Sequence, residues 1–210
     1  LLESRIEFHP DEGETETKLF THNADVDRIN QMYLEQIGSA TKFFPAVVKG
    51  NEVLIEMLSR SVLALEKLEL KTGAQVMFVK NNYEMGYVNG TMGRISGFND
   101  KGNPLVKTFD NELIEAKPET WAIEDETGKA LASFVQVPLR LAWAITVHKS
   151  QGMTLDKAMI DLGRAFEKGQ GYVALSRLRD LQGLKLRGLN QTALEVDELA
   201  MKADKRFREL

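Results

Sequence analysis

The stretch Leu139–Gly152, LRLAWAITVHKSQG, changes character partway along its length. Leu139 to Val147 is almost wholly apolar, and so short an apolar run predicts a strand buried on both faces, as in a parallel α/β sheet. The next five residues, His148 to Gly152, form a donor-rich loop. Open α/β sheets bind ligands in such loops at the carboxyl ends of strands, so the pattern indicates a site for an anion. A plain polar turn from strand to helix explains the same residues equally well.

Other segments on both sides extend this α/β pattern. Thr154–Leu162, TLDKAMIDL, predicts a strand, and Gly169–Leu186, GQGYVALSRLRDLQGLKL, predicts a glycine loop, a helix and a further strand. Upstream, Thr17–Asn23 predicts a short strand, and Ala24–Ile37 predicts an amphipathic helix with apolar residues at helical spacing. Helices alternating with strands favour a parallel sheet.

The pattern is different between Tyr83 and Val135, where turn signals recur about every eight to twelve residues. Short apolar runs lie between the turns, and this spacing predicts a small all-β barrel or sandwich. The predicted strands are Arg94–Phe98, Leu105–Phe109, Glu112–Ala116, Thr120–Ile123 and Leu131–Val137. Because α/β signals flank this region, we expect it to be an insertion within one α/β domain. Trp121 is expected in its core.

The distribution of charge is uneven. The net charge of −4 argues against a protein that coats nucleic acid without selectivity. The segment from Leu131 to Asn190, however, contains nine Lys or Arg residues and only four Asp or Glu residues. The first seventeen residues contain six acidic side chains and one basic side chain. The half of the chain with the candidate loop is therefore basic, and a modest basic patch can follow a phosphate backbone.

Composition also limits the classes of site and location. Cysteine is absent, which excludes a disulfide framework and a thiolate zinc site. His9, His22 and His148 are too far apart in sequence for a compact metal motif, so no metal ligands are predicted. Neither a transmembrane run nor a signal peptide is evident, and the default expectation is a cytoplasmic protein with no membrane partner. The first residue is Leu1 rather than Met, so we expect a piece of a longer protein.

Two long segments carry a resemblance to a known family. PLRLAWAITVHKSQGMTLD, followed by GQGYVALSRLRDLQGLKL, resembles motifs V and VI of the Pif-type, RecD-like DNA helicases of superfamily 1. Weaker similarity to the same family continues upstream through Gly73–Asn81 and through a segment in which Leu19, Asn23, Val26, Ile29 and Asn30 match. The resemblance covers Thr17 to about Leu189.

The resemblance implies a fold and a domain organisation. It implies a RecA-like, P-loop NTPase-like α/β motor domain formed by residues 17–82 and 135–210. A small SH3-like β-barrel at residues 83–134 would be inserted in that domain, and residues 1–16 would form a linker or edge segment.

The resemblance also implies an activity. In the family, two RecA-like domains hold ATP between them, and single-stranded DNA runs across both. This chain lacks the phosphate-binding pattern G-x-x-x-x-G-K-[ST]. We therefore expect the second motor domain of an ATP-dependent DNA helicase with roles in DNA repair and recombination. ATP and Mg would be bound mainly by the N-terminal motor domain of the same protein, and this chain alone would be inactive.

Individual residues acquire roles from their positions in these motifs. Arg177 matches the arginine finger, a guanidinium that neutralises charge on the transferring phosphoryl group. A surface helix arginine is the alternative. Residues on the expected nucleotide edge are Gln151 and Gly152, and residues on the expected DNA edge are Asn23, Thr146, His148 and Lys149. Asn23 could instead be only a helix N-cap.

His148 has no adjacent carboxylate in the sequence, which makes general-base chemistry a weak rival. A second hypothesis from another class is a non-catalytic binding module, in which the β-barrel docks a protein or nucleic acid and the α/β part is a scaffold.

Overall fold

The computed structural model describes residues 17–208, without the side chains of Ala200 and Arg208. The predicted linker or edge segment at residues 1–16 therefore lies outside the described residues. The strands are β1 Thr17–Phe20, β2 Lys42–Pro45, β3 Val47–Gly50, β4 Lys67–Leu70, β5 Gln75–Phe78, β6 Met92–Phe98, β7 Pro104–Thr108, β8 Leu113–Glu115, β9 Glu119–Glu124, β10 Ala130–Gln136, β11 Leu139–Leu141, β12 Ala144–Thr146, β13 Ala158–Leu162 and β14 Leu184–Leu189. The α-helices are α1 Asn23–Gln36, α2 Glu52–Ser61, α3 Gln170–Leu175, α4 Gln191–Leu194 and α5 Glu198–Arg208.

The chain divides into two compact units. One unit combines Leu1–Asn30 with Trp143–Leu210, and the other is Gln31–Ala142. They are called here the parallel-sheet unit and the antiparallel unit. Among residues 17–208, none of the helices combines the length and hydropathy that crossing a membrane requires.

The parallel-sheet unit is built on four parallel strands in the order β12-β1-β13-β14. β1 therefore pairs with strands that follow it by more than a hundred residues. Leu19 of β1 lies opposite both Ile145 and Ile160, and all three side chains are buried. Apolar residues along the whole width of the sheet are typical of a parallel sheet that is covered on both faces. The predicted parallel α/β sheet is confirmed.

The predicted strand Leu139–Val147 is wrong as a single element. It consists of two short strands, and they belong to different sheets. β11 pairs antiparallel with β5, whereas β12 pairs parallel with β1. The break at Ala142 and Trp143 lies on the boundary between the two units.

The antiparallel unit contains three sheets, with strand orders β3-β10-β9, β11-β5-β6-β7-β8 and β2-β4. All five strands that the turn spacing predicts are present as β6 to β10. Phe78, Ile95, Val106 and Phe134 are almost completely buried in this unit. Trp121 is half-buried rather than fully buried: its ring meets Phe134 edge-on, with ring centroids 6.1 Å apart, and the Lys80 Nζ atom lies 4.9 Å above it.

The predicted insertion at residues 83–134 is smaller than the unit observed. β6 is hydrogen-bonded to β5, and β10 is hydrogen-bonded to β3, although β3 and β5 precede Tyr83. The predicted boundaries thus cut through two sheets. Turn spacing locates hairpins along the chain but cannot locate the partners that edge strands acquire from elsewhere, and the SH3-like character of the barrel stays a prediction.

The C-terminal residues form two separate helices. α4 begins after Asn190, whose side-chain oxygen accepts a hydrogen bond from the Ala193 N–H, and α5 begins at Glu198.

Candidate functional site

The carboxyl ends of β1, β12 and β13 bring together side chains from three distant parts of the sequence. Thr21, His22 and Asn23 follow β1, and His148 and Lys149 follow β12. The loop at residues 163–169 follows β13. Since the strands are parallel, these segments meet at one edge of the sheet, which is the usual position for a ligand in α/β proteins.

Asn23 and Lys149 lie in direct contact at this edge. The Lys149 ammonium donates to Asn23 Oδ1 at 3.1 Å, although the two residues are separated by 126 positions in the chain. Asn23 is exposed and begins α1. The two predicted DNA-edge residues therefore form one polar cluster, which agrees with their assignment to a common surface.

The predicted contact of Thr146 with DNA does not fit the position of this residue. Its side chain is only 3% exposed, and its hydroxyl accepts a long hydrogen bond of 3.4 Å from the Lys149 N–H. Because it is covered by the protein, its position argues against direct contact with DNA and favours support of the loop that carries Lys149.

His148 begins a short 3₁₀ turn, His148–Ser150, and its imidazole is about half exposed. The expectation that it has no neighbouring carboxylate is wrong in three dimensions: Nε2 lies 2.9 Å from Glu167 Oε2. Glu167 is in the loop after β13, 19 residues away, and so sequence proximity could not reveal it. The pair could fix the tautomer and orientation of the imidazole.

Phe166 and Arg164 were missed by the sequence reasoning. The Phe166 ring stacks on His22, with centroids 5.0 Å apart and planes inclined by 25°, and its centroid lies 6.3 Å from that of His148. The Arg164 carbonyl accepts hydrogen bonds from Thr21 Oγ1 and His22 Nε2, at 3.2 and 3.1 Å. An isolated phenylalanine in a polar loop carries no periodic signal, but its aromatic character next to motif VI could have marked it.

Arg177 lies just after α3 and is half-buried. Its Nε donates to the Val173 carbonyl at 3.0 Å, and Nη2 donates to Ser176 Oγ at 2.9 Å. Nη1 lies 3.5 Å from the Met153 carbonyl. In the part of the chain that the structure describes, no carboxylate is within ion-pair distance of this guanidinium. Because an arginine has five N–H donors, donors remain for an anion.

Arg179 differs from Arg177 in its partner. Its guanidinium lies 3.1 Å from the Asp156 carboxylate, and both side chains are largely exposed. Its charge is therefore paired with a carboxylate, whereas the Arg177 guanidinium has no carboxylate partner among the residues that the structure describes. This difference supports the choice of Arg177 as the anion-binding residue of motif VI.

Gln151 and Gly152 are exposed. The residue after them, Met153, has its carbonyl 3.5 Å from Arg177 Nη1. Gly152 has φ +81°, a conformation that residues with a Cβ rarely adopt. Gln151 and His148 line one cleft of about 520 Å³, together with residues of α3 and α5 that include Tyr172 and Met201. The expected nucleotide and DNA edges are therefore neighbours within this unit.

The glycines at the start of α3 have structural roles. Gly169 has φ +80° and immediately precedes the helix. A Cβ on Gly171 would collide with the carbonyl oxygen of Ala193 in α4. The two glycines therefore set the position of α3, which carries motif VI.

A second polar cluster, in the antiparallel unit, is structural in character. Glu119 accepts hydrogen bonds from Lys80, Asn82 and Tyr87, at 3.3, 2.6 and 2.9 Å. Burial raises the pKa of Glu119, but the hydrogen bonds from Asn82, Tyr87 and Lys80 outweigh burial and leave that pKa below its ordinary value. Burial, followed by the contact with Glu119, raises the pKa of the Tyr87 hydroxyl.

Sequence comparison places the chain among helicases. Residues 54–98, in the antiparallel unit, match the family described as DNA helicase Pif1, 2B domain. The ATP-dependent DNA helicase Pif1 of Psychrobacter sp. (strain PRwf-1) is 42% identical over 97% of this chain. The chain spans 38% of the length of that relative, and it corresponds to the C-terminal part of the curated relatives.

Two solved structures are similar over almost the whole chain. Pif1 from Bacteroides sp. in complex with ADP-AlF4 is 29% identical with a TM-score of 0.80, and the similarity covers 99% of this chain and 49% of that one. Bacteroides Pif1 bound to ssDNA is 30% identical with a TM-score of 0.73, covering 98% and 48%. The similarity in fold confirms a RecA-like α/β architecture for the parallel-sheet unit. The sequence similarity, the 2B match and the shared fold together establish that this chain belongs to the Pif1 family of DNA helicases.

Proposed function

We propose that this chain forms the second motor domain of an ATP-dependent DNA helicase. The observation that carries the proposal is the guanidinium of Arg177, which has no carboxylate partner among the described residues and lies 3.5 Å from the carbonyl of Met153, the residue that follows Gly152. The solved structures of Bacteroides Pif1 with ADP-AlF4 and with ssDNA support a nucleotide and single-stranded DNA as the two ligands.

In this proposal Arg177 acts on the nucleotide from across a domain boundary. The hydrogen bonds that it donates to the carbonyls of Val173 and Met153 orient the guanidinium, and the remaining N–H groups can bind phosphate oxygens. ATP with Mg supplies the phosphoryl group whose transfer drives translocation, and both are held mainly by the N-terminal motor domain of the same protein. Gln151 and Gly152 border that nucleotide.

Asn23, His148 and Lys149 contact single-stranded DNA in the same proposal. Lys149 supplies positive charge and is held in place by Asn23. The half-exposed imidazole of His148 is held by Glu167 and can donate to a phosphate or a base. Thr146 acts indirectly, by supporting the Lys149 backbone.

The proposal is tested on the full-length protein that carries this sequence. Purified protein should hydrolyse ATP faster in the presence of single-stranded DNA and should unwind a forked duplex. His148→Ala should weaken single-strand binding and DNA-stimulated turnover together. Lys129→Ala is a matched control, because Lys129 is an exposed residue of the antiparallel unit. If the wild-type protein unwinds DNA and the His148→Ala variant binds single strands with the same affinity as the wild type, the DNA edge is placed wrongly.

A further inference from the structure

The loop between β13 and α3 presents an aromatic ring to solvent. Phe166 is 52% exposed and lies beside a sheet edge that collects polar groups. His22 covers one side of the ring in a stacked arrangement, and His148 lies at its periphery. These three residues are called here the aromatic cluster.

The aromatic cluster is held in a defined geometry. The loop is fixed on one side by the hydrogen bonds from Thr21 and His22 to the Arg164 carbonyl. On the other side, the Phe166 N–H donates to Gln170 Oε1 at 3.2 Å, and Gln170 is itself buried. Asn190 Nδ2 donates to the Ala165 carbonyl at 2.7 Å. An exposed ring whose backbone is fixed from both sides is preorganised for contact with a flat partner.

The charges near the cluster decide which part of a DNA strand it suits. Arg164 is paired with Asp25 at 3.2 Å, His148 Nε2 lies 2.9 Å from Glu167 Oε2, and the Lys149 ammonium donates to Asn23 Oδ1. Arg164 and His148 are therefore already engaged with carboxylates, so attraction of phosphates by Lys149 is not the only contribution available here. Base stacking needs no net charge and is tolerant of sequence, because every base has a π-face.

We propose that Phe166, supported by His22, is a stacking platform for one base of the bound single strand. The inference rests on the proposed function and adds a specific contact to it. Gln170 is a positioning residue in this arrangement, since its side chain fixes the Phe166 backbone while its helix leads to Arg177. Movement of α3 would then be transmitted to the ring that holds the base.

The experiment uses full-length protein and oligo-dT strands in which 2-aminopurine replaces one base, at each position in turn. Stacking quenches 2-aminopurine fluorescence, so wild-type protein should quench it strongly at one position within the bound region. Phe166→Ala should remove that quenching and weaken binding on the order of tenfold. The dependence of affinity on salt should be unchanged, because no phosphate contact is lost.

Four controls separate stacking from other effects. Phe207→Ala removes another exposed phenylalanine, on α5, and should leave both readouts unchanged. Phe166→Tyr should retain quenching, whereas Phe166→Leu, which keeps apolar volume without a ring, should not. Replacing the base at the quenched position by an abasic site should weaken wild-type binding to the level of Phe166→Ala and leave the variant unaffected.

The outcomes are distinguishable. If the wild-type protein binds DNA and Phe166→Ala quenches 2-aminopurine as strongly as the wild type does, the stacking proposal is overturned and the proposed function stands. A loss of affinity in Phe166→Ala that persists in full on the abasic strand overturns it as well. Failure of the wild-type protein to bind any single strand contradicts the proposed function itself.

Discussion

Gly171 shows how one missing methyl group can position a functional helix. Its Cα lies so close to the Ala193 carbonyl that a side chain there must push α3 away from α4. Gly171→Ala should therefore destabilise the protein by about 1–3 kcal/mol, as overpacking of a core does. Thermal unfolding measures the effect. Gly38→Ala is the control, because an added Cβ at Gly38 meets nothing within 4 Å; equal melting temperatures for the two variants would contradict the packing argument.

Glu119 makes the antiparallel unit sensitive to acid. Its folded-state pKa lies below the ordinary value of 4.5, so the unfolded chain takes up the proton first as pH falls. The stabilisation is thus complete at neutral pH and is lost as the pH drops below about 4.5. Glu119→Gln should lower the stability at pH 7 and flatten its decline toward pH 3, as measured by urea unfolding. Glu124→Gln, at an exposed position of the same strand, should do neither; an unaltered acid profile in Glu119→Gln would contradict the assignment.

At the scale of elements, the division of Leu139–Val147 shows what hydrophobic pattern can and cannot predict. The apolar run correctly indicates burial, because every residue from Ala142 to Val147 is buried. Burial does not specify a partner strand, however, and the run supplies strands to two sheets. Similarly, the sequence around motif VI predicted a helix, which is present as α3. The contact between His148 and Glu167 could not be predicted in this way, because it depends on the adjacency of β12, β1 and β13, which no local pattern encodes.

The sheet pairing leads to a prediction about deletion. Replacing residues 83–134 with a short linker removes β6, one of the two partners of β5, and most of β10, the partner of β3. The antiparallel unit should therefore lose its fold, because unpaired buried backbone groups are costly. The parallel sheet, whose four strands lie outside this region, should persist. Hydrogen exchange should show lost protection at Gln75–Phe78 and retained protection at Ala158–Leu162; retained protection at both would make residues 83–134 an independent insertion after all.

At the scale of the whole molecule, the proposed helicase places two kinds of contact in one unit. In the proposal, the DNA edge and Arg177 belong to the same parallel-sheet unit, while the main nucleotide site belongs to the N-terminal motor domain. Arg177 should therefore contribute little to folding and much to turnover. A surface arginine would also change stability by about 0.5 kcal/mol or less, but it would leave the rate unchanged.

The central claim is tested most directly by the rate of DNA-stimulated ATP hydrolysis of Arg177→Ala in the full-length protein. We predict a loss of about 10³–10⁵-fold in kcat, with single-strand binding in the absence of nucleotide and the melting temperature close to wild type. Arg177→Lys should recover little, because a point charge cannot reproduce the forked donors of a guanidinium. Arg179→Ala, which removes a residue paired with Asp156, should lose much less. A rate for Arg177→Ala above about one tenth of wild type would contradict the account, since it lies far outside the loss expected of an arginine finger.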